Sequence, residues 1–401
     1  MLRVEEAQER VLAALEPLGD EKVMLAEAAG RVLAEDVVAP RALPPWDNSA
    51  MDGYAVRAAD CAQPGTELGV GETIGAGHLA SRPLARGEAM RIMTGAPLPA
   101  GADAIVKRED TEETAPGRVR MREAVQAGDH VRHAGDDVRA GEVALGAGTA
   151  LGAGEIGLLA ALGRATLSVH RRPTVSIVST GDELCDLDQA PGPGQIVNSN
   201  AWALATMVRA AGALPVIHPI TRDNPEALRT RFRLALAADV LVSIGGVSVG
   251  EFDYVKDALA AVGLTLDFWK VAMQPGKPLA FALSSHGPAF GLPGNPASSM
   301  VSFELFVRPA LCKLGGHRTG MFRPRVTVVF GERARKSAGR RMYLRCQLRR
   351  EGETLFARPL AHQGSGMLRS MIGVSALVEL AEEMTEVEPG ARLPALLLEP
   401  I

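Results

Sequence analysis

Two kinds of segment in this chain carry residues suited to chemistry: a turn that holds acids, and a series of loops that combine glycine with acid or lysine. Residues 44–56, Pro-Pro-Trp-Asp-Asn-Ser-Ala-Met-Asp-Gly-Tyr-Ala-Val, place Asp47 and Asp52 in a stretch that cannot be a regular helix. Pro44 and Pro45 withdraw backbone donors and enforce an extended entry. Asp52-Gly53 then supplies a turn, and Tyr54-Ala55-Val56 resumes as a strand. A turn that strict suits a site. It equally suits a punctuated loop with solvated acids, and the segment alone does not separate the two readings.

The second set lies between 179 and 298. Ser179-Thr180-Gly181-Asp182-Glu183 offers hydroxyls and backbone amides to an anion, and acids to a divalent cation. In 221–225, Asp223 stands beside Asn224, which either caps the helix begun by Pro225 or joins a site. Gly245-Gly246-Val247-Ser248-Val249-Gly250 forms a cradle in which backbone amides can meet a phosphate. Asp253, just after it, either caps the next helix or holds Mg²⁺ against the phosphates. This loop is neither the dinucleotide fingerprint nor a Walker A loop, because Gly-x-Gly-x-x-Gly and Gly-Lys-Ser/Thr are both missing. Gln274-Pro275-Gly276-Lys277-Pro278 and residues 291–298 are rigid Pro/Gly turns, and Lys277 is a compact cation. Asn295 with Pro296 also reads as a helix start. Glycine, acid or lysine at every one of these loops exceeds what capping requires, and together they point to a phosphate-and-metal site. No Ser/His/Asp triad accompanies them. The eight histidines lack metal-ligand spacing, and His218 reads as a core or loop residue. Chemistry would have to rest on metal, positioning and charge.

The elements that position these residues follow from periodicity. Residues 4–18 place Val4, Ala7, Val11, Leu12 and Leu15 on one helical face, and a second short helical pattern runs over 25–36. Residues 44–138 break into short β-like runs. A helical pattern over 153–162 leads to a strand-like end at 168, and this segment is expected to fold back onto the first 43 residues. The first domain would then be discontinuous, 1–43 with 139–170, with a β-rich module, 44–138, inserted in it. Over 171–317, strands at 174–180, 214–220, 239–245, 279–283 and 289–292 alternate with helices at 200–211, 225–237, 253–262 and 296–314. That alternation predicts a parallel, three-layer α/β domain with ligands at the carboxyl ends of its strands. Residues 318–401 show only strand patterns, which predicts a small β-barrel.

At 401 residues the chain exceeds one compact core. Its net charge of −4 and 4% aromatic content exclude a dedicated nucleic-acid binder. The four cysteines form no Cys-x-x-Cys pair and read as buried, reduced thiols. No apolar run approaches the ~20 residues of a membrane helix, and the N-terminus does not read as a signal peptide. A soluble cytoplasmic protein is expected.

Taken in chain order, these motifs make the sequence resemble the MoeA family, the molybdopterin molybdenumtransferases that also include the gephyrin E domain. The resemblance rests on Asp-Asn-Ser-Ala-Met-Asp-Gly-Tyr-Ala, Arg-Ile-Met-Thr-Gly-Ala-Pro at 91–97, Ser-Thr-Gly-Asp-Glu-Leu, Gly-Gly-Val-Ser-Val-Gly, Pro-Gly-Lys-Pro and Gly-Leu-Pro-Gly-Asn-Pro, in family order. It implies a four-domain homodimer that inserts molybdate into adenylylated molybdopterin and releases AMP, with Mg²⁺ as cofactor. The active site would be a cleft between the α/β domain of one subunit and the inserted domain of the other. By resemblance, Asp52, Thr94, Asp137, Glu183, Asp223 and Asp253 are the catalytic set, with Glu183, Asp223 and Asp253 near the metal. Thr180, Gly181, Gly245, Gly246, Ser248, Gly250, Lys270, Lys277, Pro293, Pro296, Arg345 and Ser365 would bind the pterin, its phosphates and molybdate. Many members carry a lysine where this chain has Gln274, which offers only a neutral amide, so oxyanion charge would fall to Lys270, Lys277 and Arg345. Molybdopterin adenylylation and a non-catalytic, gephyrin-type scaffold are the rival readings. The first is disfavoured by the extra domains and the second by the retained acids. An adenylyltransferase and other proteins of the cofactor pathway are the expected partners.

Overall fold

A computed structural model describes residues 1–246 and 255–399 of the chain. Ser248, Gly250 and Asp253, three of the expected site residues, lie outside the described residues.

The strands Thr174–Ser179 and Val240–Ile244 are buried almost without interruption, as strands covered on both faces are. They sit inside a six-stranded sheet in the order Leu214–Ile217, Thr174–Ser179, Val240–Ile244, Gly287–Leu292, Pro278–Ser284, Thr265–Lys270. Alternate residues point to opposite faces. Val175, Ile177, Val242 and Ile244 join one cluster with helix Ser199–Ala210 and the 296–314 helical run, while Val178 and Leu241 join another with helices Pro225–Ala235 and Val255–Ala261. Three layers result, as expected.

The sheet is mixed, where an all-parallel one was expected. Its first four strands are parallel, but Pro278–Ser284 runs antiparallel to Gly287–Leu292, and Thr265–Lys270 antiparallel to it in turn. Ser284 and Gly287 pair directly, so only two residues join their strands, and so short a link permits only an antiparallel return. The reversal positions the site. It brings the start of Pro278–Ser284 and the end of Thr265–Lys270 to the carboxyl edge of the parallel strands, and the loop over 271–277 with them.

The first 43 residues divide between two bodies. Helix Val4–Ala13 buries Val4, Ala7 and Val11, with Leu15, in the α/β core, and the Gln8 amide donates to the Leu305 carbonyl at 2.9 Å. Asp20–Met24 instead pairs with Thr166–His170, and Val37–Val38 with Val143–Leu145. The expected helix over 25–36 is a single 3₁₀ turn, Leu25–Glu27. Gly30, at φ 73°, turns the chain out of it. Val32 and Leu33 then bridge to Ala150 and Val169, a tertiary pairing that overrides local propensity.

Residues 53–121 form a second six-stranded sheet, with Gly53–Val56 between Ala104–Lys107 and Glu88–Ile92. The C-terminal strands close a five-stranded barrel. Arg341–Glu351 pairs with Thr354–Pro359 on one side and Ala376–Leu380 on the other, and Arg325–Phe330 and Arg392–Leu397 complete the ring. The pair Met273–Gln274 adds to Arg341–Met342 in parallel, stitching the α/β loop to the barrel.

Candidate functional site

At the carboxyl edge of the α/β sheet, backbone bonds lock the loops together. The Thr180 amide donates to the Ile244 carbonyl at 2.9 Å, Gly181 to Thr221 at 3.2 Å, and Gly245 to Leu292 at 3.0 Å. The expected cradle of open amides is therefore corrected at these three positions: their N–H groups are taken up by the sheet. Gly245 and Gly246 are required sterically. Both have positive φ, and a Cβ on Gly245 would lie 2.6 Å from the Thr180 carbonyl oxygen, one on Gly246 2.5 Å from Val255 Cγ2.

The acids cluster beside these loops. Arg222 donates to the Asp182 carbonyl at 2.6 Å, and Asp223 is half-buried. Burial, followed by the charges of Asp182 and Glu183, holds the Asp223 carboxyl above the usual carboxylate range. Among the described residues, no group of three or more His, Cys, Asp or Glu side chains is arranged to hold a metal. Asn224 resolves to a cap, its Oδ1 accepting from the amides of Glu226 and Ala227 at 3.0 and 3.1 Å. Asn295 does not cap with its side chain. Pro296 opens the helix, and Asn295 Nδ2 donates to Ser365 Oγ at 3.1 Å. Ser365 also takes the Ala297 amide on its carbonyl at 3.0 Å, so the Pro293–Pro296 turn docks on a barrel loop.

That docking encloses a cavity of about 320 Å³ between sheet edge and barrel. It gathers four of the expected residues, Lys277, Pro293, Arg345 and Ser365, and adds Gln274, Ser298 and Arg340. None of its described lining residues is acidic. Arg345 has no exposure at all; its Nη2 donates to the Gly364 carbonyl at 3.1 Å and its Nε has no partner. Burial pulls its pKa down, yet a guanidinium keeps its proton. Gln363 clips the loop in place, accepting from the Arg345 amide at 3.0 Å and donating to the Arg345 and Leu360 carbonyls at 2.8 Å. A buried cation without a carboxylate, in an acid-free cavity, suits a small anion. Lys270 stands at the same edge, paired in register with Pro278. Ser298 and Arg340 were missed because a serine inside a helical run and an arginine next to a strand carry no chemical signature in sequence.

The acids of the opening motif take separate roles. Asp47 accepts from the Ala134 amide at 2.8 Å and from His133 Nδ1 at 3.2 Å, which ties the loop over 133–137 to the turn. Asp52 is exposed, and its Oδ1 accepts both the hydroxyl and the amide of Thr94 at 2.7 Å. Those two hydrogen bonds, the hydroxyl's first, hold its carboxyl below the usual range, so it is an ionised, oriented acceptor. Asp137 is exposed, its amide donating to the Leu43 carbonyl at 2.9 Å. Among the described residues no hydrogen bond or ion pair joins 44–138 to the α/β sheet or the barrel. Within one chain, the acids of the turn and the cations of the cavity remain two separate groups.

Comparison with known proteins gives this geometry a family. The model of the MoeA N-terminal region (domain I and II) matches residues 2–163, that of a probable molybdopterin binding domain 176–313, and that of the MoeA C-terminal region (domain IV) 327–398. A molybdopterin molybdenumtransferase 2 of Mycobacterium tuberculosis is 38% identical over 98% of both chains. A molybdopterin molybdenumtransferase of Nostoc is 44% identical over 75% of this chain and 70% of its own. The crystal structure of a molybdopterin biosynthesis MoeA protein from Pyrococcus horikoshii superposes over the whole of both chains with a TM-score of 0.83 at 30% identity. With similarity at that level across both ends and the middle, this chain belongs to the MoeA family.

Proposed function

We propose that this protein inserts molybdate into adenylylated molybdopterin, releasing AMP and leaving the molybdenum cofactor. The observation that carries the reading is Arg345: a fully buried guanidinium with an unpartnered Nε, lining an acid-free cavity with Lys277. A buried guanidinium with a spare donor and no carboxylate beside it offers both charge and a hydrogen bond to an anion. Molybdate is a compact dianion of suitable size, and Ser298 and Ser365 add neutral donors around it.

The overall reaction balances as follows. The phosphoanhydride P–O bond breaks, and an oxygen from water goes to phosphorus. Two dithiolene thiols give their protons to one oxide of molybdate, which leaves as water while both sulfurs bind molybdenum. Lys277 and Arg345 hold the molybdate charge so that it does not repel the pterin phosphates. Lys270, at the same edge, faces the phosphate side. Thr180, Gly181, Gly245 and Gly246 shape the floor on which the nucleotide end rests.

Glu183 and Asp223, whose charges act on each other at neighbouring strand ends, would hold Mg²⁺ together with Asp253, and the ion would supply polarisation of the phosphoanhydride when bound. Asp52, Thr94 and Asp137 join the site from a second subunit of a homodimer, a reading supported by their separation from the cavity within one chain. Among the described residues no helix is long and apolar enough to cross a membrane. The four cysteines are buried and free, which fits the reducing cytoplasm. The test is turnover of adenylylated molybdopterin with molybdate, reading AMP. Wild type should release AMP and Arg345→Ala should lose at least about a hundredfold in rate. A wild-type protein that releases none under any metal supplement would overturn the proposal.

A further inference from the structure

Arg340 has a fixed root and a free head. The Gly339 amide donates to the Glu382 carbonyl at 2.8 Å, Lys336 Nζ donates to the Arg340 carbonyl at 2.9 Å, and the Arg341 amide donates to the Ala272 carbonyl at 2.9 Å. Two of these hydrogen bonds fix its main chain within the C-terminal region, and the third ties it to Ala272, beside the Met273–Gln274 strand. Its neighbour Arg341 is consumed by acids: Glu5, Glu382 at 3.2 Å and Glu379 at 3.7 Å. The Arg340 side chain makes no ion pair or hydrogen bond among the described residues, is half-buried, and lines the cavity that holds Lys277 and Arg345. A solvated surface arginine would sit on a loose turn and lose entropy on meeting a ligand. Here the backbone is already ordered, so less is lost.

We infer that Arg340 is a third cationic ligand of the oxyanion cavity and makes it selective for dianions over monoanions. This rests on the reading of the cavity as the molybdate site. On the Gln274 side the cavity offers only a neutral amide, and Arg340, one residue before Met273's register partner Arg341, supplies the charge there. Two cations match a dianion. A third leaves excess positive charge that favours a doubly charged tetrahedral ion more than a singly charged one of the same shape.

Molybdate and perrhenate, tetrahedral ions of charge −2 and −1, are the probes, titrated calorimetrically onto the full-length protein. Arg340→Gln should weaken molybdate binding about tenfold or more, the loss expected for one charge-assisted hydrogen bond. Perrhenate should weaken by a clearly smaller factor, and the salt dependence of molybdate binding should flatten. Arg349→Gln removes the same charge from an exposed position on the strand that follows Arg340 and should bind as wild type. Gln274→Lys in the Arg340→Gln background should restore molybdate affinity. Equal loss for both ions, or unchanged molybdate binding in Arg340→Gln, would overturn the role of Arg340 while the cavity stands. Wild type that binds neither ion would remove the cavity reading itself.

Discussion

Asp52 and Asp223 have the same functional group in opposite electrostatic settings. Thr94 holds the first ionised with two hydrogen bonds, while burial and the carboxylates of Asp182 and Glu183 work against charge on the second. For Asp223 the folded pKa lies above its ordinary value of 3.8. The folded chain therefore holds its full share of stability from this group below that value, and loses it as pH rises through the raised folded pKa. Asp223→Asn removes the ionisation, so its melting temperature should exceed that of wild type at neutral pH, with the gap closing in strongly acidic buffer. Calorimetry across that range tests this, and a variant that melts lower than wild type at neutral pH contradicts it. Reduced AMP release in the same variant would mark Asp223 as a residue kept for function at a cost in stability. The sequence named Asp47 and Asp52 together, because a turn of that composition draws no distinction between them. Only the fold reveals that His133 and Ala134 occupy Asp47 while Asp52 stays open to solvent.

Helices and strands of the α/β domain were legible where burial was two-sided or the period regular. Thr174–Ser179, Val240–Ile244 and Ser199–Ala210 fall within a residue or so of their expected bounds. Thr265–Lys270 gave no such signal. It is an edge strand whose Asp267 and Lys270 interrupt the apolar pattern, and its place depends on a partner that sequence alone does not name. The reversal of Pro278–Ser284 escaped for a related reason, since strand direction follows from the length of a link and not from its composition. A different residue governs how the central strands begin. Asp239 takes the Arg171 guanidinium through two bonds, at 2.6 and 3.0 Å, and the Thr174 amide and hydroxyl at 2.8 and 2.6 Å. Burial pushes its pKa up, but the Arg171 and Thr174 hydrogen bonds outweigh that and hold it low. Asp239→Ala would leave the Thr174 amide and the guanidinium unpaired at the entry to two adjacent strands. A loss of about 2–4 kcal/mol is expected in denaturant unfolding. The wild-type advantage should fade as pH falls through the depressed pKa of Asp239, so the two proteins converge in acid. A loss independent of pH would show that packing, not the ion pair, is what Asp239 contributes.

At the scale of the whole molecule, ion pairs bind the N-terminal helix to the barrel, with Arg341 reaching Glu5 on one side and Glu379 and Glu382 on the other. Helix, sheet and barrel thereby form a continuous support for the oxyanion cavity. The inserted β-rich module has no such ties to the sheet or barrel among the described residues, although it carries Asp52, Thr94 and Asp137. Acids and cations meant for one reaction need a common volume, and two chains arranged about a two-fold axis would provide two of them. Each would combine the acids of one subunit with the cavity of the other. Mixed dimers test this directly. Asp52→Ala and Arg345→Ala proteins, each inactive alone, would be unfolded together and refolded as a mixture. If sites are shared, half of the dimers are mixed, and each mixed dimer contains one site with both residues intact. Activity should then return to about one quarter of the wild-type level. If every site lies within a single chain, each site in the mixture lacks one residue, and AMP release stays at the level of the separate variants.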